Sequence, residues 1–229
     1  MKKKKHFGTP LNIIVFFVLF FGIFASSHAG NPELIVTWKA DNFYPTSYTG
    51  KAIPSYGTKT SFAVEAIQDG KLLDISKSTI EWRKNGERIK KGEGQKEALV
   101  VFSNTDRTSF VSVSVLINGT SIEKSISIPI TEPRLVIEIP YKNLTAPKNS
   151  DISITATPYF FNATSLNDFS FSWNINGIKK GTGTNNKLTL NTGNPSSQSD
   201  SVVTILGYAQ NKKSLLEIKK TQAKLFISD

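Results

Sequence analysis

The chain contains no cysteine, and its two histidines are His6 and His28, both ahead of residue 29. Without cysteine there is no disulfide, no thiol nucleophile and no lipid-bearing cysteine of a bacterial lipoprotein. Once residues 1–29 are set aside, histidine is gone too. That excludes Ser-His-Asp triads, histidine general bases and ordinary zinc, copper or haem sites. Clustered acids are equally scarce. Asp41, Asp69, Asp74 and Asp106 are scattered and form no calcium loop. No acidic pair stands where a glycosidase needs two carboxylates ~5–10 Å apart, so a small carboxylate hydrolase is the least favoured of three function classes. The chain is expected to be no enzyme, with no catalytic residue, no metal and no cofactor. No stretch carries a helical period either.

What the sequence does have begins with Lys2 to Lys5, an apolar run from Leu11 to Ala25 broken only by Asn12 and Gly22, and Ser26-Ser27-His28-Ala29-Gly30. A basic segment, a short apolar core and a small-x-small site describe a secretory signal peptide over residues 1–29, cleaved after Ala29. The rival reading, an uncleaved membrane anchor over 11–25, is disfavoured because a span needs about 20 apolar residues. The whole chain has 229 residues and a net charge of +10. Removing residues 1–29 takes four lysines with it and leaves 24 basic and 18 acidic side chains, a net of +6. The remainder is large enough for two domains of about 100 residues, each with its own core. Such a protein is extracytoplasmic, and it holds together by packing alone.

One phrase occurs twice. Ile80-Glu81-Trp82-Arg83-Lys84-Asn85-Gly86 reappears as Phe171-Ser172-Trp173-Asn174-Ile175-Asn176-Gly177. Each copy reads as a strand with Trp82 or Trp173 on the apolar phase, followed by a tight Asn-Gly hairpin turn. Lys90-Lys91-Gly92 and Lys179-Lys180-Gly181 follow the two turns and strengthen the repeat. Around the phrases, period-two alternation predicts about seven strands per copy. In the first these include Leu34–Trp38, Ser61–Ile67, Ala98–Phe102, Ser109–Ile117 and Ile122–Ile130. In the second they include Leu135–Ile139, a strand through Ile152, Ile154 and Ala156, Lys187–Leu190 and Ser201–Tyr208. Thr131-Glu132-Pro133 is too short for a flexible tether, giving domains 30–132 and 133–229 as a semi-rigid tandem. In the remainder, Leu215-Leu216-Glu217-Ile218 reads as a strand end or one turn of helix, and Lys224–Ile227 as a closing strand.

Trp82 with Asn85-Gly86, and Trp173 with Asn176-Gly177, resemble the third strand and turn of immunoglobulin-like or PKD-like domains of bacterial secreted and cell-surface proteins. The resemblance spans nearly all of residues 33–229 and implies an all-β fold: two tandem cysteine-free immunoglobulin-like sandwiches. It also implies a structural, adhesive or recognition role, although fold alone does not fix function.

Four places compete for that role. The two tryptophans are in phase with Ile80, Phe171 and Ile175, so they are expected in the core rather than on a binding platform. Asp41–Thr60 is the strongest candidate. It is about nine residues longer than Pro140–Ser150, its counterpart, and carries Phe43, Tyr44, Tyr48 and Tyr56. Tyrosine suits protein or glycan recognition; the bland alternative folds these rings over a sandwich end or against the second domain. Tyr159-Phe160-Phe161 reads as a domain-interface plug rather than an exposed patch. The basic hairpin Arg83, Lys84, Arg88, Lys90, Lys91 and Lys96, echoed by Lys179 and Lys180, reads as a solvated, edge-protecting hairpin. Its sharper alternative is a site for an anionic wall polymer. Interleaved Glu81, Glu87, Glu93 and Glu97 argue against nucleic acid. The expected partner is a protein or glycan at the cell envelope, with membrane contact only through an uncleaved N-terminal segment. The second function class is a structural accessory of an envelope or pilus-like assembly. Asn118, Asn143 and Asn162 head Asn-x-Ser/Thr sequons, relevant only in a eukaryotic host, and lysine and asparagine are frequent enough for an isopeptide cross-link.

Overall fold

Inner-face alternation pairs the strands exactly where one side of each must leave water. The computed structural model describes residues 30–104, 106, 108–196 and 201–228; the signal-like segment of residues 1–29 lies outside them. The first sandwich is built from β1 (Glu33–Ala40), β2 (Lys59–Gln68), β3 (Lys71–Leu73), β4 (Thr79–Lys84), β5 (Glu87–Glu93), β6 (Glu97–Val101), β7 (Thr108–Ile117) and β8 (Thr120–Pro129). β1 pairs with one edge of β2, while β3 and β6 share the other; the facing sheet runs β5-β4-β7-β8. The eighth strand, β3, was not anticipated. It extends β2 through a hairpin at Asp69-Gly70, both with positive φ.

The second sandwich contains β9 (Arg134–Glu138), β10 (Thr145–Pro147), β11 (Asp151–Tyr159), β12 (Phe169–Ile175), β13 (Ile178–Gly183), β14 (Lys187–Asn191), β15 (Val202–Asn211) and β16 (Ser214–Ser228). Its sheets run β14-β11-β9 and β10-β16-β15-β12-β13. The order β6-β2-β1 over β5-β4-β7-β8 recurs as β14-β11-β9 over β13-β12-β15-β16. This is the aligned two-sheet arrangement of an immunoglobulin-like sandwich, here without cysteine. β10 adds a parallel pairing to β16 (Thr145 with Phe226). In the first sandwich the corresponding pairing shrinks to one parallel bridge, Ser55 with Thr131.

Two separate cores fill these layers. Phe62, Ile80, Trp82, Phe102, Val111, Val113 and Val115 lead the first. Ile154, Phe161, Phe169, Phe171, Trp173 and Ile205 lead the second. Trp82 is fully buried and Trp173 nearly so, so loss of either indole costs about 3–5 kcal/mol. The two indoles nevertheless differ. Trp82 faces Val113 across the sheet, and its Nε1 donates to Gln95 O at 2.8 Å. Trp173 faces Gly207, and its Nε1 has no partner among the described residues. A Cβ on Gly207 would come within 3.3 Å of Trp173 Cζ3 and 3.4 Å of Ile137 Cδ1, so a bare backbone is what admits the ring.

The Asn-Gly turns do more than reverse the chain. Asn85 and Asn176 take φ of 50° and 49°, and Gly86 and Gly177 follow at 86° and 85°, as a two-residue hairpin turn requires. Each asparagine also reaches the next strand. Asn85 N–H donates to Phe110 O at 2.8 Å while Phe110 N–H donates to Asn85 Oδ1 at 2.9 Å. Asn176 and Thr204 repeat the pair at 3.0 and 2.7 Å. The Lys-Lys-Gly echo is corrected by the register: Lys90 pairs with Trp82, but Gly181 pairs with Trp173. The triplets therefore sit at non-equivalent places. Leu215–Ile218 is a strand end and not a helical turn: it forms the first part of the 15-residue β16, just after its opening Ser214.

Candidate functional site

Residues 41–58 leave β1 and fold as a pad against the second sandwich. Asn42 Nδ2 donates to Ile53 O at 2.7 Å, and Tyr48 N–H to Pro45 O at 2.9 Å. Lys51 lies over the Trp38 ring, 3.7 Å from its centroid, a cation–π contact; partial burial pulls its pKa below the ordinary lysine value. At the near end Phe43 N–H donates to Phe161 O at 2.7 Å and Phe160 N–H to Phe43 O at 2.6 Å, a one-rung antiparallel bridge between domains. The Phe43 ring packs edge-on to Phe169 at 5.3 Å and joins the core of the second sandwich. Phe160 adopts φ of 61°. That is a costly conformation for a bulky residue, held by the bridge and by Tyr48, whose ring lies 5.5 Å away.

At the far end of the pad a polar network crosses the joint. Ser55 and Thr58, both buried, share a hydroxyl–hydroxyl bond of 2.9 Å. Thr58 Oγ1 donates to Asn162 Oδ1 at 2.6 Å, and Asn162 Nδ2 donates to Tyr56 O at 2.6 Å and to Glu217 Oε1 at 2.9 Å. Glu217 also accepts from Asn162 N–H and from buried Asn211 Nδ2. Gly57, at φ of 81°, passes so close that a Cβ would meet Asn162 Nδ2 at 3.3 Å. The loop that carries Asn162 is pinned at its other end by Asp168. That carboxylate accepts from Thr164 and Ser165 N–H and pairs with Lys213 at 2.8 Å. The lysine bond, followed by the Thr164 amide, holds Asp168 well below the usual carboxylate range. Lys219 and Glu132 add an exposed ion pair at 2.6 Å beside the linker.

Every aromatic residue of the 41–60 stretch can now be placed. Phe43 is half-buried in the joint. Tyr48 bridges it, with its ring 6.0 Å from Tyr159 and 5.5 Å from Phe160. Tyr44 stacks edge-on to Tyr48 at 5.9 Å and stays 38% exposed. Tyr56 is half-buried on the opposite side of the pad, where its carbonyl serves Asn162. Tyr48, Ile53 and Thr131 of the first sandwich and Arg134, Val136, Tyr159 and Phe160 of the second line an open cleft of about 370 Å³. Burial, reinforced by Glu138 and Tyr48, raises the Tyr159 hydroxyl above its ordinary pKa. The cleft offers two phenol side chains, ring edges and one guanidinium.

Sequence reasoning missed Asn162, Glu217, Thr58 and Asn211. Asn162 stood out only as a sequon, and its amide is fully engaged at the joint. The basic hairpin is locally neutralised. Glu81 pairs with Arg83 and Lys91, Lys84 lies 2.7 Å from Asp106, and Lys96 lies 3.2 Å from Glu65. Lys84 and Lys90 also donate to the carbonyls of Val101 and Glu97 on the free edge of β6, blunting an edge strand. Burial alone would raise Asp106, but Lys84 and the Ser103 amide and hydroxyl overcome it and bring the carboxyl down to about 2.

No protein-family model matches the chain, and no curated protein matches it. Among solved structures it is similar to the three N-terminal domains of the highly immunogenic outer capsid protein (Hoc) of bacteriophage RB49. That likeness is 13% identical, covers 86% of this chain and 59% of that one, and has a TM-score of 0.46. It is also similar to the fibronectin(III)-like modules of Clostridium thermocellum CbhA (12% identity, 85% and 94% coverage, TM-score 0.31). The full ectodomain of mouse nectin-like molecule 4 is a third (14% identity, 88% and 65% coverage, TM-score 0.36). The chain spans 59% of the length of the phage protein structure. By its own strand order and register, the described chain is a tandem of two cysteine-free immunoglobulin-like β-sandwiches.

Proposed function

We propose that this protein is a non-enzymatic extracytoplasmic recognition module whose two sandwiches are locked together to present one composite surface to a protein or glycan of the cell envelope. The observation that carries the reading is the pad of residues 41–58. It donates Phe43 to the neighbouring core and joins Thr58 to Asn162, so a cleft lined from both domains keeps its shape. Preformed clefts with aromatic walls and few polar groups are the usual form of a binding site. The basic–apolar–small pattern of residues 1–29 supports export.

Binding to a glycan panel and to envelope fractions, compared between the native chain and a rim variant of unchanged thermal stability, Val136→Ser on the cleft wall with Tyr44→Ser at the exposed ring packed against the wall residue Tyr48, tests the proposal. The rim variant loses binding at least tenfold. Equal binding by both proteins sinks the cleft as the recognition surface. Cell fractionation with intact-mass analysis tests export: a cytoplasmic protein that retains residues 1–29 defeats that half of the reading.

A further inference from the structure

The positive charge of the chain is lopsided. Residues 30–132 carry 13 basic and 12 acidic side chains, whereas residues 133–229 carry 11 and 6. The excess gathers on one face. On the outer side of the β10-β16-β15-β12-β13 sheet, register places Lys220, Tyr208, Ser172 and Thr182 in one row. Gln222, Leu206, Asn174 and Lys179 form the next, and Lys224 stands beside Thr204 in the third. Lys180 lies exposed in the adjoining β-bulge. Among the described residues this face holds no carboxylate, and Lys179, Lys180, Lys220 and Lys224 have no ion-pair partner.

The same rows of the first sandwich are built differently. Glu81, Ser114 and Glu123 occupy the positions of Ser172, Tyr208 and Lys220. There Glu81 neutralises Arg83 and Lys91. The repeat thus exchanges two acids for a serine and a lysine on one copy only, and packing supplies no reason, because these side chains point away from the core.

We propose that this face of the second sandwich binds a linear polyanion with a sugar or polyol backbone. Lys220 and Lys224 are four residues apart, ~13 Å along the strand, and three strand spacings put Lys179 ~14 Å across the sheet. Cations that far apart do not close on one small anion; they match charges repeated along a chain. Between them lie the hydroxyls and amides of Tyr208, Ser172, Thr182, Asn174 and Gln222, which suit hydroxyl-rich repeats. Phosphodiester and carboxylate polymers share this chemistry. The inference is independent of the joint cleft.

The test is titration of poly(glycerol phosphate) and of polygalacturonate across a salt series, with three variants. Lys179→Gln/Lys180→Gln/Lys220→Gln/Lys224→Gln lowers affinity for the preferred polymer at least tenfold at ~0.15 M salt and flattens the log affinity against log salt plot by about two to four ion contacts. Arg83→Gln/Arg88→Gln/Lys90→Gln/Lys91→Gln, matched in charge, changes affinity less than threefold. Tyr44→Ser/Val136→Ser leaves polymer binding intact, which separates this face from the cleft. The preferred polymer identifies phosphate or carboxylate as the repeat. The proposal is overturned by equal losses in the two lysine sets, by no binding to either polymer, or by tighter binding per charge to single-stranded DNA or phosphatidylglycerol vesicles.

Discussion

Thr58 and Asn162 are 104 residues apart in the chain, yet the threonine hydroxyl lies 2.6 Å from the asparagine carbonyl oxygen. The same amide returns a bond to Tyr56 O, so one side chain clamps a loop of the first sandwich to the second. Asn162→Ala leaves the Thr58 hydroxyl with Ser55 alone and takes the Asn162 amide from the Tyr56 carbonyl, at about 1–3 kcal/mol for an unsatisfied group. Residual dipolar couplings should show the two sandwiches reorienting in the variant and fixed in the native chain; a native chain that already tumbles as two bodies refutes the clamp.

Phe43→Ala places its effect in the wrong domain by chain position. Removing this half-buried ring should cost about 2–3 kcal/mol, less than a fully buried phenylalanine. Hydrogen exchange should register the loss at β12 and β15, which surround Phe169, more than at β1 and β2. The reverse distribution would place Phe43 in the first core.

The two tryptophan pockets give opposite responses to small changes. Trp82→Phe loses the bond to Gln95 O and should cost more than Trp173→Phe, whose Nε1 makes none. Gly207→Ala pushes against Trp173 and should cost about 1–3 kcal/mol, measurable by urea denaturation. A neutral Gly207→Ala would mean that the ring has room to spare.

Asparagine at the hairpin turns is worth more than its positive φ. Asn85→Gly keeps the turn but loses the link to Phe110, for about 1 kcal/mol; Asn85→Ala adds the left-handed strain and costs about 2 kcal/mol. Asn176 should behave alike through Thr204. If glycine equals asparagine at both sites, the side-chain link contributes nothing.

Acid should weaken the first sandwich through Asp106. Its folded carboxyl titrates at about 2, below the ordinary value of about 3.9. The stabilisation is therefore complete above pH ~4 and is lost as pH falls toward about 2. Asp106→Asn should lower the melting temperature at neutral pH and flatten its fall between those limits. A parallel curve would remove Asp106 from the account.

Strands were legible where the buried phase is strictly apolar. Val111, Val113, Val115 and Ile117 announce β7, and Phe169 through Ile175 announce β12. β16 was obscure because its partly buried phase begins Glu217, Lys219, Thr221, Ala223, which shows no alternation before Leu225. The joint was half legible. A surplus of aromatics marked residues 41–60 as unusual, but the groups that receive them, Phe161, Asn162 and Glu217, lie more than 100 residues away in segments without period. The charged face was hidden for another reason. Lysines cluster in the sequence around β5, where register sets Lys91 against Glu81, and disperse over β13 and β16, where register gathers them on one face free of acids among the described residues.

Phe43 also sets a timetable. In an exported chain threaded N-terminus first, Phe43 emerges well over 100 residues ahead of Phe169, and domains generally fold as units, the N-terminal one first. The first sandwich must therefore carry an apolar ring and an unpaired stretch of backbone in the open until its successor arrives. The second, by contrast, condenses beside a ready-made template. On that order of emergence, the early interval is the exposed one, and the later half condenses against the earlier.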